Sequence, residues 1–220
     1  MGRRGESLSS PRSGSQKLGF VHRFVPSTGS PVTLLLLHGT GGDEEDLVPL
    51  GARLLPGAAR LSPRGKVLEN GMPRFFRRLA EGVFDINDLV ARTDELAEFV
   101  RKASEAYGFD PGRVVAVGYS NGANIAASML LLHPGVLAGA VLLRPMVPFR
   151  LQGAPDLSKT RILIEAGTDD ALIPRELPTE LAGILEVAGA RVTLRWQAGG
   201  GHTLTEGDLE AATGWLSENF

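Results

Sequence analysis

Gly118-Tyr119-Ser120-Asn121-Gly122 lies between a short apolar run, residues 114–117, and a helix-like run, residues 123–133. In the order strand, G-x-S-x-G, helix, this pentapeptide places a serine on a tight turn, with its hydroxyl group exposed at the edge of a sheet. The two glycines remove side chains that would clash at such a turn. The amides at the start of the following helix point to where negative charge can develop. Ser120 is therefore a candidate nucleophile.

The composition is that of a globular protein and argues against several kinds of site. Hydrophobic residues make up 43% and charged residues 22% of the 220 residues, and the net charge is −2. These values fit one domain with a sizeable core. They do not fit nucleic-acid binding, which usually needs a strong basic excess. Because there is no cysteine, we expect no disulfide, no thiolate metal site and no cysteine nucleophile.

The sequence shows no membrane or export segment. No apolar run approaches the ~18 residues that a membrane helix needs. Arg3-Arg4 is followed by glycine, serine, proline and charged residues, so the apolar region of an export signal does not follow it. We therefore expect a cytoplasmic protein without a membrane span.

Strand-like and helix-like segments alternate along most of the chain. Residues 1–16, rich in Ser, Gly and Arg, are predicted to be a disordered leader, and residues 17–220 a single domain. The patterns predict strands at 18–25, 32–37, 58–62, 113–117, 137–143, 161–166 and 191–197, and helices at 46–55, 86–107, 121–133, 178–188 and 206–219. Alternation with continuously apolar inner strands indicates an α/β fold, with a mostly parallel sheet covered by helices on both faces. The segment 144–160 is too short for a large lid domain.

Residues whose groups can take part in catalysis follow four of the predicted strands. A glycine loop with Thr40 follows the strand at 32–37, and Ser120 follows the strand at 113–117. Asp169 and Asp170 follow the strand at 161–166, and His202 follows the last strand. Sites in such sheets form at the carboxyl ends of the strands. The chain order Ser, Asp, His is the order found with this serine turn in α/β-hydrolases.

Elimination selects the histidine. His22 and His38 precede the serine, and His133 lies at the end of the helix after it, where the helix macrodipole favours it. His202 is the candidate base because it alone lies on a loop after the last strand.

Several carboxylates are candidates for the acid, because Asp169 and Asp170 are adjacent and Glu165 is close. We favour Asp170, since the apolar residues 171–174 that follow it would bury it, and a buried carboxylate suits the task of orienting an imidazolium. The glycine loop at residues 39–42 has a competing interpretation as a phosphate cradle. It lacks the spacing of the known phosphate loops, and we expect His38 to support the loop.

At this point the chain resembles the small, lid-free α/β-hydrolases of the phospholipase/carboxylesterase family, which includes acyl-protein thioesterases and bacterial carboxylesterases. The resemblance covers residues 18–220. It rests on Leu37-His38-Gly39-Thr40-Gly41-Gly42-Asp43-Glu44, residues 118–124, Gly167-Thr168-Asp169-Asp170 with Pro174, and Gly201-His202; residues 62–65 and 69–78 resemble a bacterial subgroup. Asn121 stands where members often have glutamine.

The resemblance implies a serine hydrolase that cleaves carboxylic esters or thioesters of small to medium acyl groups. Ser120 would be the nucleophile, His202 the base and Asp170 the acid. The backbone N–H groups of Thr40 and Asn121 would bind the oxyanion. No metal or organic cofactor is expected, and the partner is a small-molecule ester; a homodimer is left open.

The substrate pocket is less visible in the sequence. Phe75 and Phe76, between arginines, and Met146 and Leu172, which follow predicted strands, are candidate pocket residues or ordinary packing residues. Two alternative functions use the same scaffold. The first is a C–C hydrolase or acyltransferase, which would use the same triad. The second is a non-catalytic binding protein, which is less favoured because it would not need the strained serine turn.

Overall fold

The computed structural model of the chain describes residues 13–14 and 18–220. The predicted leader lies outside this part except for Ser13–Gly14, which forms a two-residue strand. The disorder of the leader and the single domain over residues 17–220 stay predictions.

The described elements alternate in the predicted manner. The strands are β1 (Ser13–Gly14), β2 (His22–Val25), β3 (Thr33–Leu37), β4 (Ala59–Pro63), β5 (Val67–Glu69), β6 (Met72–Arg74), β7 (Arg78–Ala80), β8 (Val83–Phe84), β9 (Val114–Tyr119), β10 (Gly139–Leu143), β11 (Arg161–Gly167) and β12 (Arg191–Gln197). The helices are α1 (Val48–Leu54), α2 (Ile86–Tyr107), α3 (Asn121–Leu132), α4 (Glu176–Val187) and α5 (Glu206–Asn219).

Eight strands form one sheet in the order β1-β2-β4-β3-β9-β10-β11-β12. The six strands from β4 to β12 in this order run parallel, and β2 pairs antiparallel with β4 and with β1. The carboxyl ends of β3, β9, β10, β11 and β12 therefore lie along one edge of the sheet, which is where the candidate residues follow.

Helices cover both faces of this sheet. Successive residues of a strand point to opposite faces, and β3 shows the consequence: Leu35 and Leu37 belong to one buried cluster, and Leu34 and Leu36 to the other. The first cluster includes residues of α2, α3 and α4, and the second includes residues of α1 and α5. The prediction of a mostly parallel sheet between two helical layers is confirmed.

The predicted helix α2 has the same bounds in the structure, and its ends explain them. The side chain of Asp85 accepts a hydrogen bond from the backbone N–H of Asp88 and caps the N-terminus. Gly108 ends the helix in the left-handed conformation, with φ 72°. The 22 residues of α2 pack against α3, the helix that begins at the candidate nucleophile.

Two small antiparallel hairpins, β5–β6 and β7–β8, lie in a segment for which no strand was predicted. The first turns at Asn70 and Gly71, which both have positive φ values of 52° and 80°. Asn-Gly is the preferred pair for a two-residue hairpin turn, because that turn needs positive φ at both positions. This dipeptide was the sequence signal for the missed hairpin.

Candidate active site

The candidate nucleophile lies on a strained turn between β9 and α3. Ser120 has φ 52° and ψ −111°, a backbone conformation that residues with a side chain rarely adopt. Such strain costs about 1–3 kcal/mol and persists where the surrounding structure enforces it. The backbone N–H of Ser120 donates a 2.9 Å hydrogen bond to the Leu143 carbonyl oxygen, which fixes the turn to the end of β10.

The two glycines of the pentapeptide are required by close backbone contacts. A Cβ atom at Gly122 would overlap the carbonyl oxygen of Leu37 on β3. A Cβ atom at Gly118 would overlap the backbone of Gly122. The turn can therefore pack against the end of β3 only when both positions lack side chains.

Ser120, His202 and Asp170 form a continuous chain of hydrogen bonds. His202 Nε2 lies 3.0 Å from Ser120 Oγ, and His202 Nδ1 lies 2.9 Å from Asp170 Oδ2. A carboxylate only accepts hydrogen bonds, so Nδ1 is the protonated nitrogen, and in the neutral ring Nε2 is left to accept the serine proton. The arrangement is that of a serine with an oriented general base.

Asp170 is the carboxylate that contacts His202. Its side chain is 2% exposed, and its second oxygen accepts hydrogen bonds from the backbone N–H groups of Leu172 and Ile173. Asp169 is exposed and accepts a hydrogen bond from Thr168. Glu165 is fully buried and pairs with Arg195 at 3.3 Å. Neither of these two alternatives contacts His202.

The glycine loop after β3 lies beside the serine. Thr40 lines the same cleft as Ser120 and Asn121. Within the described part of the chain, the backbone N–H groups of Thr40 and Asn121 donate to no other group. Two free amide donors next to a candidate nucleophile are what an oxyanion hole requires.

His38 holds this loop in place. One ring nitrogen, Nδ1, lies 2.6 Å from the Gly39 carbonyl oxygen, and the other accepts a hydrogen bond from the Gly65 N–H at 3.0 Å. Burial lowers the pKa of His38, which keeps the ring neutral in this role. The remaining histidines also have partners. His22 contacts Tyr107, and His133, directly after α3, contacts Asp94 on α2.

The cleft around Ser120 is narrow, with a cavity volume of about 70 Å³. Of the candidate pocket residues, Met146 and Leu172 line this cleft. Phe75 and Phe76 do not: both are buried in the hydrophobic core below it. Of the two interpretations of Phe75 and Phe76, ordinary packing is therefore the one that the structure shows; the sequence does not reveal which side chains of the segment turn inward. The arginines on either side, Arg74 and Arg78, line the cleft, and so does another aromatic residue, Phe84 on β8.

A buried ion pair that the sequence analysis missed supports the histidine loop. Arg144 and Asp208 are fully buried and joined by two hydrogen bonds of 2.9 and 2.8 Å. Arg144 Nε also donates to the carbonyl oxygen of Gly201, the residue before His202, at 2.7 Å. Arg144 directly follows β10, so its position at a strand end was a signal in the sequence, although its partner was not. Asp208 completes a capping box with Thr205 at the start of α5.

The surroundings of this ion pair shift the pKa values of two carboxyl groups, Asp208 and Glu165. Burial alone would raise the pKa of Asp208, but hydrogen bonds from Arg144 and Thr205 outweigh it and lower the pKa. Burial raises the pKa of Glu165 to about 7, although Arg195 acts against this shift. Glu165 is thus a buried group that titrates near neutral pH within two strands of the candidate nucleophile.

Neither a metal centre nor a membrane helix is found in residues 13–14 and 18–220. No group of three or more His, Asp or Glu side chains there is arranged to hold a metal ion. None of the helices in that part combines the length and apolar composition that crossing a membrane requires.

Comparisons with known proteins agree with this architecture. The family model described as Phospholipase/Carboxylesterase matches residues 24–219. MhqD of Bacillus subtilis (strain 168), named as a hydrolase, is 53% identical over 197 residues, which cover 90% of this chain and 98% of MhqD.

Solved structures are also similar. The Bacillus cereus carboxylesterase has a TM-score of 0.89 and 49% identity, covering 91% of this chain and 95% of that one. A structure of YahD with malic acid has a TM-score of 0.85 and 30% identity, covering 90% and 98%. The expected fold and enzyme class are confirmed: the chain belongs to the phospholipase/carboxylesterase family, has the α/β-hydrolase fold and is a carboxylesterase-type hydrolase.

Proposed function

We propose that the protein hydrolyses carboxylic esters or thioesters of small to medium acyl groups through the triad Ser120, His202 and Asp170 and a covalent acyl-enzyme. The observation that carries the proposal is the chain of hydrogen bonds from Ser120 Oγ through His202 to Asp170, with lengths of 3.0 and 2.9 Å. Its location at the strand ends of a carboxylesterase-type hydrolase supports the same assignment.

In the first half of the reaction, Ser120 Oγ attacks the carbonyl carbon of the ester while its proton passes to His202 Nε2. The negative charge that develops on the carbonyl oxygen is stabilised by the N–H groups of Thr40 and Asn121; losing one such donor typically costs ~10²–10³ in rate. The tetrahedral intermediate collapses, and the leaving alcohol or thiol takes the proton from His202. Asp170 stabilises the imidazolium that exists between these two proton transfers.

In the second half, water attacks the acyl-enzyme and gives its proton to His202, which then returns it to Ser120 as the acid leaves. Every proton transfer in this scheme uses His202, so the mechanism needs no metal and no organic cofactor. The 70 Å³ cleft favours a small acyl or alcohol group next to the scissile bond. A cytoplasmic location, a homodimer and the absence of nucleic-acid partners stay predictions.

The test is labelling by a fluorophosphonate probe together with turnover of short p-nitrophenyl esters. We expect the unaltered protein to be labelled and active. Ser120→Ala should abolish labelling and lower kcat by at least about 10³-fold, as in other triad enzymes.

Ser217→Ala is the matched control, because Ser217 is an exposed serine on α5 that bonds to the Thr213 carbonyl oxygen. It should be labelled and active like the unaltered protein. Labelling of the Ser120→Ala variant would contradict the assignment of the nucleophile.

A further inference from the structure

Two arginines from the hairpin region line the catalytic cleft. Arg74 ends β6 and Arg78 begins β7, and both line the cleft together with Ser120 and His202. The side chain of Arg74 is 5% exposed and that of Arg78 is 30% exposed. Burial lowers the pKa of Arg74, but a guanidinium stays charged in proteins. The cleft therefore has two fixed positive charges in its wall.

The local ion pairs leave part of this charge uncompensated. Glu69 is the carboxylate that pairs with both arginines, at 2.9 Å from Arg78 Nε and 3.2 Å from Arg74 Nε. One negative charge thus faces two positive charges. Arg74 also donates to the Phe76 carbonyl oxygen and to the hydroxyl of Thr40. Within the described residues, Arg74 Nη2 and both terminal nitrogens of Arg78 have no acceptor.

Two asparagines add further donors to the same wall. The side-chain oxygen of Asn121 accepts from the Phe75 N–H, and that of Asn124 accepts from the Met146 N–H. With each oxygen turned toward a backbone N–H, the NH₂ groups are the donors that these side chains can offer a ligand. Nδ2 of Asn121 is buried and has no partner among the described residues. A buried donor without an acceptor is costly, and an acceptor-rich ligand would relieve that cost.

One acidic group in the cleft wall opposes the positive charge of the arginines. Glu81 also lines the cleft, but it is exposed and forms no ion pair with Arg74 or Arg78 within the described residues. Because Glu81 is exposed, the effect of its charge is screened more strongly than that of the buried Arg74 and the partly buried Arg78.

We propose that Arg78, together with Arg74, forms an anion subsite that selects esters carrying a carboxylate close to the scissile bond. The planar fork of a guanidinium matches the two oxygens of a carboxylate. Arg78 is the specificity-determining residue, since both of its terminal nitrogens are free. Arg74 also donates a hydrogen bond to the hydroxyl of Thr40. This inference rests on the proposed function and adds a substrate class to it.

The test compares matched ester pairs that differ only in a carboxylate or a carboxamide. Monomethyl glutarate and methyl glutaramate place the group on the acyl side, and 3-acetoxybenzoate and 3-acetoxybenzamide place it on the leaving group. We expect kcat/KM to be about 10- to 100-fold higher for the carboxylate in at least one pair, the usual value of a hydrogen bond to a charged group. This preference should shrink as salt concentration rises.

Variants locate the preference on the cleft wall. Arg78→Gln should lower the carboxylate-to-carboxamide ratio about tenfold. Arg78→Lys should retain part of the ratio, because charge is kept while the fork is lost. Arg77→Gln is the matched control: Arg77 is 61% exposed, pairs with Asp85, does not line the cleft and should leave the ratio unchanged. Glu81→Gln should raise the ratio.

A measurement on the unaltered enzyme needs no variant. Glutarate should inhibit hydrolysis of 3-acetoxybenzamide competitively, and glutaramide should inhibit much less. If 3-acetoxyphenyl phosphate is turned over faster than 3-acetoxybenzoate, the assignment to a carboxylate is overturned.

The outcomes separate this inference from the proposed function. Ser120-dependent turnover of the carboxamide esters with a ratio of one or below in both pairs would overturn the anion subsite and leave the hydrolase proposal intact. A ratio that stays high in Arg78→Gln would also overturn it. If Ser120→Ala keeps full activity, the proposed mechanism fails, and the subsite falls with it.

Discussion

Three hydrogen bonds hold the carboxylate of Asp170 in one orientation. His202 Nδ1 donates to Oδ2, and the backbone N–H groups of Leu172 and Ile173 donate to Oδ1. The carboxylate in turn holds the imidazole ring with Nε2 toward Ser120. A one-residue shift would place the acid at Asp169, which is exposed and lies apart from this chain of hydrogen bonds. At the residue scale, the position of a single carboxylate decides, in the proposed mechanism, whether His202 can act as a base.

We predict that Asp170→Asn lowers kcat for short esters by about 10³- to 10⁴-fold with a small change in KM, because the amide neither stabilises the imidazolium nor enforces the reactive tautomer. Asp169→Asn, at the neighbouring position, should keep at least half of the activity. Steady-state kinetics of the two purified variants check this. Equal losses in both variants would show that the acid has been assigned to the wrong residue.

At the scale of elements, the buried Arg144–Asp208 pair joins the end of β10 to the start of α5 and to the histidine loop. Arg144 Nε bonds to the Gly201 carbonyl oxygen, and Asp208 accepts from both the N–H and the hydroxyl of Thr205. Removing one partner of a buried pair leaves an uncompensated charge. Replacing both partners with apolar side chains is often neutral for stability.

We therefore predict that Asp208→Asn lowers the free energy of unfolding by about 3–5 kcal/mol. The double variant Arg144→Met/Asp208→Leu should recover most of this loss but keep a kcat at least about tenfold below normal, since Gly201 then lacks its Arg144 donor. Chemical denaturation measures the free energy of unfolding. Steady-state kinetics over a range of pH measure kcat and the pH profile of kcat/KM. A double variant with full kcat and an unshifted profile would make the pair purely structural.

At the scale of the whole molecule, the sheet buries apolar side chains on both faces, and Glu165 is an exception within it. Its side chain is fully buried on β11 near Arg195, Asp208 and Arg144, and burial raises its pKa to about 7. In the unfolded chain the same group titrates near its ordinary value of 4.5. Between these values the folded protein binds more protons than the unfolded chain, so the free energy of unfolding decreases as pH rises.

We predict that the free energy of unfolding falls by about 1–3 kcal/mol between pH 5 and pH 7 through Glu165, and that Glu165→Gln makes this part of the pH profile flatter. Glu210→Gln, a change at an exposed position on α5, should leave the profile unchanged. Urea denaturation at a series of pH values provides the measurement. An unaltered slope in Glu165→Gln would show that another group is responsible.

The family, the fold class and most element positions could be predicted because they depend on local patterns. α2, β12 and α5 begin and end at the predicted residues, since capping groups and apolar periodicity mark these bounds in the chain itself. The hairpins between β4 and α2 were missed, because their strands are only two or three residues long and carry no periodic signal.

Residue types and chain order were sufficient to identify Ser120, His202 and Asp170 as candidates, because the sites of a parallel sheet lie where its strands end. Three-dimensional packing decided which side chains face the cleft. Phe75 and Phe76 turn into the core while Arg74 and Arg78 face the serine. It also paired Arg144 with Asp208, 64 positions apart. Such choices depend on contacts between distant segments, and no local pattern of residues encodes them.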